Sequence, residues 1–385
     1  MIALALFVAL VPVGQKPIVD VSFEMVGNRI YLPVKLNGSP ISAIFDTGAG
    51  ASAVDLALAD QLKIPGNGRV QAGGVGAAQV TGRILEGASV EVGDQKHSVL
   101  YAIPFASMNA VEGRKLELIL GHDFINRYVI QVDYAGKRMK IYPSGTTLAD
   151  SGTSIPIRMV NGHPHIRSKV TIGGETHDVE TMIDSGATGG GLTGRFIKAW
   201  PIPATVKTTP STVIGGGVGG FVTGRFLRIE TLDLGGIKVS NPVVSVNEGK
   251  GGANGENAAY DYLLGAEILK RFTFTIDYAN KRVFLKPNSD FAKSFEADKT
   301  GIRLTSGGPD LRDFSVVGLL PGSSGELAGL KAGDKIIAIN KIGAASKTLQ
   351  EWRDYLRESG EKAYEIAIQR NGQVLTIKVE AKSII

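Results

Sequence analysis

Cysteine is absent from the 385 residues. That excludes disulfides, thiolate metal sites and a cysteine nucleophile. It leaves the compartment open, since a chain without thiols also suits an oxidising one. Aromatic residues are sparse, at 7%. Basic residues exceed acidic ones by a formal +5, yet they are scattered, with no dense basic block and no aromatic-basic module. Solvated strand faces account for them, and no nucleic-acid partner is expected. One apolar run stands out, Met1 to Val13, too short to cross a bilayer as a helix. It has the character of a secretory core, although no Lys or Arg precedes it and no small-x-small cleavage site follows. Residues 1–19 therefore read as a signal or leader segment, and export to the periplasm or beyond is the expectation. A membrane contact follows only if that segment is an uncleaved anchor.

What is abundant is glycine, 50 residues, in a chain that is 43% hydrophobic and 21% charged. That composition fits a soluble, loop-rich β protein. The chain also repeats itself. Arg29 to Leu36, Asn37-Gly38 and Ile41 to Phe45 read as a β-hairpin, and so do His165 to Ile172, Gly173-Gly174 and Val179 to Ile183. Each hairpin ends in an acid on a glycine turn, Asp46-Thr47-Gly48-Ala49 and Asp184-Ser185-Gly186-Ala187. A short helical segment follows each, at Asp55 to Leu62 and Phe196 to Trp200. Glycine-rich hairpins come next, ending in Thr81-Gly82-Arg83 and Thr223-Gly224-Arg225. Ile119-Leu120-Gly121 and Leu263-Leu264-Gly265 then precede short helices at His122 to Arg127 and Ala266 to Arg271. Asp133-Tyr134-Ala135 and Asp277-Tyr278-Ala279 close the units. A lone Asp-Thr-Gly is usually an Asx-turn at a strand end. Two of them at matching places in a duplication point to a symmetric pair.

A symmetric pair of carboxylates can do chemistry. Held a few ångströms apart, two carboxylates do not both ionise, so one keeps its proton while the other is charged. The pair then supplies a base that takes a proton from water and an acid that polarises a carbonyl. Gly48 and Gly186 allow the backbone close to each acid, and Thr47 and Ser185 place a hydroxyl where it can bond to the opposite half.

At these residues the chain resembles the aspartic peptidases, and more narrowly the retropepsin-like type of bacterial proteins, over about residues 20 to 290. The resemblance implies two acid-protease-like β-barrel lobes related by a pseudo-two-fold, over 20–150 and 151–290. It implies a catalytic dyad of Asp46 and Asp184 supported by Thr47, Gly48, Ser185 and Gly186. It also implies substrate-covering flaps at Gly74-Val75-Gly76 and Gly217-Val218-Gly219. Gly50 departs from the pattern, standing where a hydroxyl residue is common, and neither flap carries a tyrosine. The fold class is therefore mainly β, ending in an α+β domain over 298–385. That tail resembles a bacterial PDZ domain at Pro321-Gly322-Ser323-Ser324, at Ala328-Gly329-Leu330-Lys331-Ala332-Gly333-Asp334 and at Ile336 to Asn340. PDZ domains add a peptide strand to a sheet edge. The expected carboxylate loop is Leu311-Arg312-Asp313-Phe314, the expected edge strand Ser315-Val316 to Gly318, and the expected groove helix Leu349 to Leu356.

The expected activity is aspartic endopeptidase, acting on a peptide or protein substrate without cofactor or metal, with the PDZ domain taking a substrate or partner peptide. The alternative is an inactive peptidase fold that serves as a peptide-binding adaptor. Pairing of each half with its own copy in a homodimer is the rival assembly. Gly215-x-Gly217-x-x-Gly220 fits a dinucleotide pattern but leads into alternating strand residues, not a helix, so it reads as a turn. His163 and His165 read as surface histidines, with no third ligand nearby in sequence.

Overall fold

The computed structural model describes residues 15–249 and 252–385, so nearly all of the expected leader lies outside the described residues. No described helix is long and apolar enough to cross a membrane.

In each lobe the fold starts from a hairpin. Arg29–Leu36 pairs antiparallel with Ser39–Phe45 about Asn37 and Gly38, both at positive φ. His163–Ile172 pairs with Glu175–Ile183 about Gly173 and Gly174, again both at positive φ. Two consecutive positive-φ residues match the right-handed twist of the strands they join, hence Asn-Gly and Gly-Gly. The acid-bearing strand of each hairpin gains a parallel neighbour from the far end of its repeat. Leu118–Leu120 lies beside Ala43 to Phe45, and Tyr262–Leu264 beside Thr181 to Ile183. The apolar triplet before each Leu-Gly mark is thus an inner strand, fully buried in both lobes. Each lobe builds a ten-stranded curled sheet in this way.

A third sheet joins the lobes. Its six strands run in the order Val19–Ser22, Arg138–Pro143, Tyr128–Asp133, Phe272–Asp277, Arg282–Pro287 and Thr153–Pro156. At its centre Tyr128–Asp133 runs antiparallel to Phe272–Asp277, with Gln131 opposite Thr275. These two residues hold the same place in the repeat, two before each Asp-Tyr pair. The pseudo-two-fold axis passes between them. The sheet fuses the lobes into one hydrophobic cluster running from Val19 to Phe295.

The C-terminal domain has its own core, centred on Trp352, Tyr364 and Ile366. Its main sheet runs Ile302–Gly307, Asp313–Leu319, Lys335–Ile339, Ala363–Arg370 and Gln373–Glu380. This corrects the expected edge. Ser315 pairs with Thr305 on one side and Lys335 on the other, so the Asp313–Leu319 strand is internal. Phe314 and Val316 are buried in the core, and Leu311 sits at positive φ in the turn before their strand. The sheet's edges are Ile302–Gly307 and Gln373–Glu380, and the first of these lies beside the Leu349–Glu358 helix. Alternation shows which face of a strand is buried; only pairing shows whether it is an edge. The helix over Leu349–Glu358 begins with a capping box between Thr348 and Glu351.

This domain packs on the lobes. Its Ile302–Gly307 edge meets the helix Ala106–Glu112, and the strand Asp313–Leu319 meets Thr212–Gly217 of the second glycine-rich hairpin. The Thr212 hydroxyl donates to the Leu319 carbonyl at 3.4 Å.

Candidate active site

Asp46 and Asp184 leave their strands at the seam between the lobes. The first acid's amide donates to the Leu120 carbonyl and the second's to the Leu264 carbonyl, both at 3.0 Å. Each carboxylate then folds back to accept from the glycine two residues on, Gly48 N–H at 2.8 Å and Gly186 N–H at 2.9 Å. Asp184 also accepts from Ala187 N–H at 2.9 Å. Both carboxyls line one and the same cleft. A single chain therefore brings both acids to one site.

The need for glycine is steric. A Cβ on Gly48 would lie 2.3 Å from Cγ of Asp184, and one on Gly186 would lie 2.3 Å from Cγ of Asp46. Each acid rests on the backbone of the other's turn, and only hydrogen fits between them.

Beneath the acids the two hydroxyl residues interlock. Thr47 N–H donates to Ser185 Oγ and Ser185 N–H to Thr47 Oγ1, both at 3.0 Å. Thr47 Oγ1 donates onward to the Ile183 carbonyl and Ser185 Oγ to the Phe45 carbonyl, both at 2.9 Å. Both side chains are wholly buried. All four bonds cross between lobes, so the lock fixes the separation of the carboxyls.

Burial, then the charge of Asp184, pushes Asp46 well above the usual carboxylate range. Burial raises Asp184 too, against the opposing hydrogen bonds from Asp46 and Ala187 and the charge of Arg29. Water-poor surroundings favour the neutral form, and a like charge alongside favours it further. The pair thus holds a shared proton above the pH at which an isolated carboxyl would lose it.

The Arg29 side chain crosses the lobe boundary from the start of its strand. It donates to the Gly186 carbonyl and pairs with Glu112 at the end of the Ala106–Glu112 helix. Sequence reading missed both partners. Arg29 looks like any solvated strand start, and the helix joins it only in space. One local signal was available for the helix: Gly113 follows Glu112 and takes the left-handed C-terminal position that favours glycine.

The flap residues do come together. Gly76 N–H donates to the Val218 carbonyl at 3.0 Å, and Ala78 N–H to the Gly219 carbonyl at 3.2 Å. A Cβ on Gly76 would lie 2.0 Å from the Gly219 carbonyl carbon, so the tips cross backbone to backbone. Gly215-x-Gly217 lies in the second of these hairpins and not before a helix. Under the flaps is a cleft of about 640 Å³, lined by both acids and by apolar groups that include Ile44, Ile103, Met108, Ile119, Val218 and Phe226.

The expected PDZ loop residues, Leu311 to Val316, line none of this cleft. The histidines also differ from expectation. His165 is buried, its Nδ1 3.1 Å from Glu180, and burial lowers its pKa. His163 lines the cleft beside Gly50.

Paired β lobes, one acid from each on a common axis, and two glycine-rich hairpins that cross at their tips make this an aspartic-protease architecture. The sequence pattern of the aspartyl protease family matches residues 32–124 and 168–268, half of the chain, and the chain belongs to that family. A PDZ-domain pattern matches residues 315–370. The chain is similar to DNA damage-inducible protein 1 of Cryptococcus neoformans var. neoformans serotype D, 30% identical over 128 residues. The match spans 32% of this chain and 28% of that relative. The protein of the same name from Chaetomium globosum is 29% identical over 122 residues, 30% of this chain and 25% of the relative. Both likenesses are therefore to about a quarter of the relatives' length.

Proposed function

We propose that the chain is an aspartic endopeptidase and that Asp46 and Asp184 form its one catalytic dyad. The observation that carries this reading is the mutual seating of the acids, each carboxyl on the glycine of the other lobe and both fixed by the buried Thr47–Ser185 lock. With one proton shared, the charged carboxyl takes a proton from a water held between the acids while the neutral one donates to the substrate carbonyl. Water oxygen adds to the carbonyl carbon, and collapse of the resulting diol returns a proton to the leaving nitrogen. The Gly48, Gly186 and Ala187 amides hold the carboxylates still, so little reorganisation accompanies the proton transfers. The substrate is an extended peptide with apolar side chains near the cut bond, a reading supported by the many apolar residues that line the cleft around the acids. The PDZ domain binds a partner or substrate peptide.

Incubation of the full chain with a mixed peptide library tests the reading. Cleavage at bonds flanked by apolar residues, blocked by a statine-containing peptide that mimics the tetrahedral diol, is the expected result. A protein that binds the statine peptide and cuts nothing between about pH 3 and pH 8 is an adaptor and not a peptidase.

A further inference from the structure

The groove-side edge of the PDZ sheet, Ile302–Gly307, is not bare. The Thr305 and Ser306 hydroxyls both donate to the Ala110 carbonyl, at 3.1 and 3.0 Å. At the start of the groove helix, Leu349 abuts Gly113; a Cβ on that glycine would lie 2.3 Å from Leu349 Cβ. The end of the Ala106–Glu112 helix therefore plugs the outer half of the groove. The inner half is a cavity of about 320 Å³ walled by Ile302, Leu304, Leu320 and Leu356 of the PDZ domain and by Gly215 and Phe221 of the second flap.

Two features indicate what the groove accepts. Asp298 Oδ1 already accepts from Thr300 N–H at 2.7 Å and Gly301 N–H at 2.9 Å, immediately before the edge strand. A chain-terminal carboxylate seeking those amides would meet a carboxylate in place. Secondly, Arg353 of the groove helix donates to the Leu304 carbonyl at 2.9 Å and makes no ion pair among the described residues. Arg353 and Glu112 of the plug line the same cavity; burial lowers the pKa of the guanidinium and the Glu112 charge raises it.

The plug also reaches the cleft. The Ser107 hydroxyl lies 3.4 Å from the Gly217 carbonyl of the second flap, Val111 packs on Gly216, and Glu112 holds the Arg29 that reaches the Gly186 carbonyl. One seven-residue helix thus touches the PDZ edge and a flap, and through Arg29 it is linked to the turn of the second acid.

We propose that the PDZ groove takes an internal, extended peptide segment with an acidic side chain among apolar ones, and that this segment displaces the end of the Ala106–Glu112 helix and frees the second flap. The segment's backbone adds to Ile302–Gly307, its acidic group replaces Glu112 opposite Arg353, and an apolar side chain fills the cavity. The recognised chain need not end there. The consequence for hydrolysis rests on the peptidase reading; the binding does not.

The test uses the full chain carrying Asp46→Asn, so that no turnover intervenes. A fluorescent octapeptide, Ser-Val-Thr-Val-Glu-Val-Thr-Lys, is followed by anisotropy as the C-terminal amide, as the free acid and with Gln replacing Glu. Expected are equal affinities, within about twofold, for amide and acid, and at least fivefold weaker binding of the Gln peptide. Replacing Thr305→Val with Ser306→Ala, which unhooks the plug, should tighten binding about tenfold, the scale of one or two net hydrogen bonds. Independently of any PDZ variant, peptide binding should speed hydrogen exchange in 212–228. No binding, a tenfold preference for the free acid, or unchanged exchange in that hairpin overturns the proposal. Those results would leave library cleavage by the wild-type chain untouched, so the two readings fail separately.

Discussion

Replacing Gly186 by alanine places one methyl group where the structure has no room. The new Cβ would lie 2.3 Å from Cγ of Asp46, and Gly48→Ala does the same to Asp184. Carbon atoms settle at about 3.5–4.0 Å, so the carboxyl must retreat by roughly 1.2 Å or more. A misplacement of about 1 Å costs on the order of a hundredfold in rate. Neither glycine has the left-handed backbone that disfavours alanine, so the loss comes from the contact and not from strain. Folding should survive, since the carboxyl faces a cleft into which it can move. The assay is kcat on a library-derived peptide beside thermal unfolding, for both alanine variants and for Gly343→Ala, where a Cβ meets nothing within 4 Å. Expected are losses of about a hundredfold for Gly48→Ala and Gly186→Ala with folded protein, and no change for Gly343→Ala. Near-wild-type kcat in a folded Gly186→Ala protein would refute the mutual seating of the acids.

Removing one hydroxyl of the lock should destabilise the chain. Ser185→Ala strands Thr47 N–H and the Phe45 carbonyl, at about 1–3 kcal/mol for each buried group left unpaired, read by urea unfolding. A change under about 0.5 kcal/mol would show that the bonds do not hold the lobes. Glu112→Gln removes the buried charge that partners the largely covered Arg29, and a broken buried pair costs about 3–5 kcal/mol, measured in the same way; an unchanged midpoint contradicts it. The acids themselves should be a stability cost at neutral pH. Both bind a proton more tightly folded than unfolded, so the native state holds more protons above about pH 4 and stability falls as pH rises from there. Asp184→Asn should then raise unfolding free energy at pH 7 by about 1.4 kcal/mol for each tenfold of proton affinity gained on folding, and add little near pH 4. An Asn variant no more stable than wild type at pH 7 would contradict that sign.

Much of this site was legible in the chain because its parts are local and repeated. Asp46 and Asp184, their glycines and their hydroxyl neighbours each stand in one short stretch, and the duplication pairs those stretches. The glycine-rich hairpins were legible as hairpins for the same reason, and as flaps only through the family resemblance. What could not be read depends on partners distant in sequence. The sheet through Gln131 and Thr275 needs both repeats present before either strand has a neighbour. Arg29 gains its role only when Gly186 and Glu112 arrive from elsewhere. The PDZ edge was misplaced because Ile302 to Gly307 and Ser315 to Gly318 carry similar alternation, and the difference lies in which of them a third strand joins.

The central claim is that Asp46 and Asp184 of one chain form a single dyad. It is tested most directly by measuring peptide hydrolysis for Asp46→Asn and Asp184→Asn separately, beside wild type, with each variant shown to be folded. Either change alone should lower kcat by about 10²–10⁴, the scale of a lost general acid or base. Substantial activity surviving in one of them, or no hydrolysis by the wild-type chain, would contradict the account.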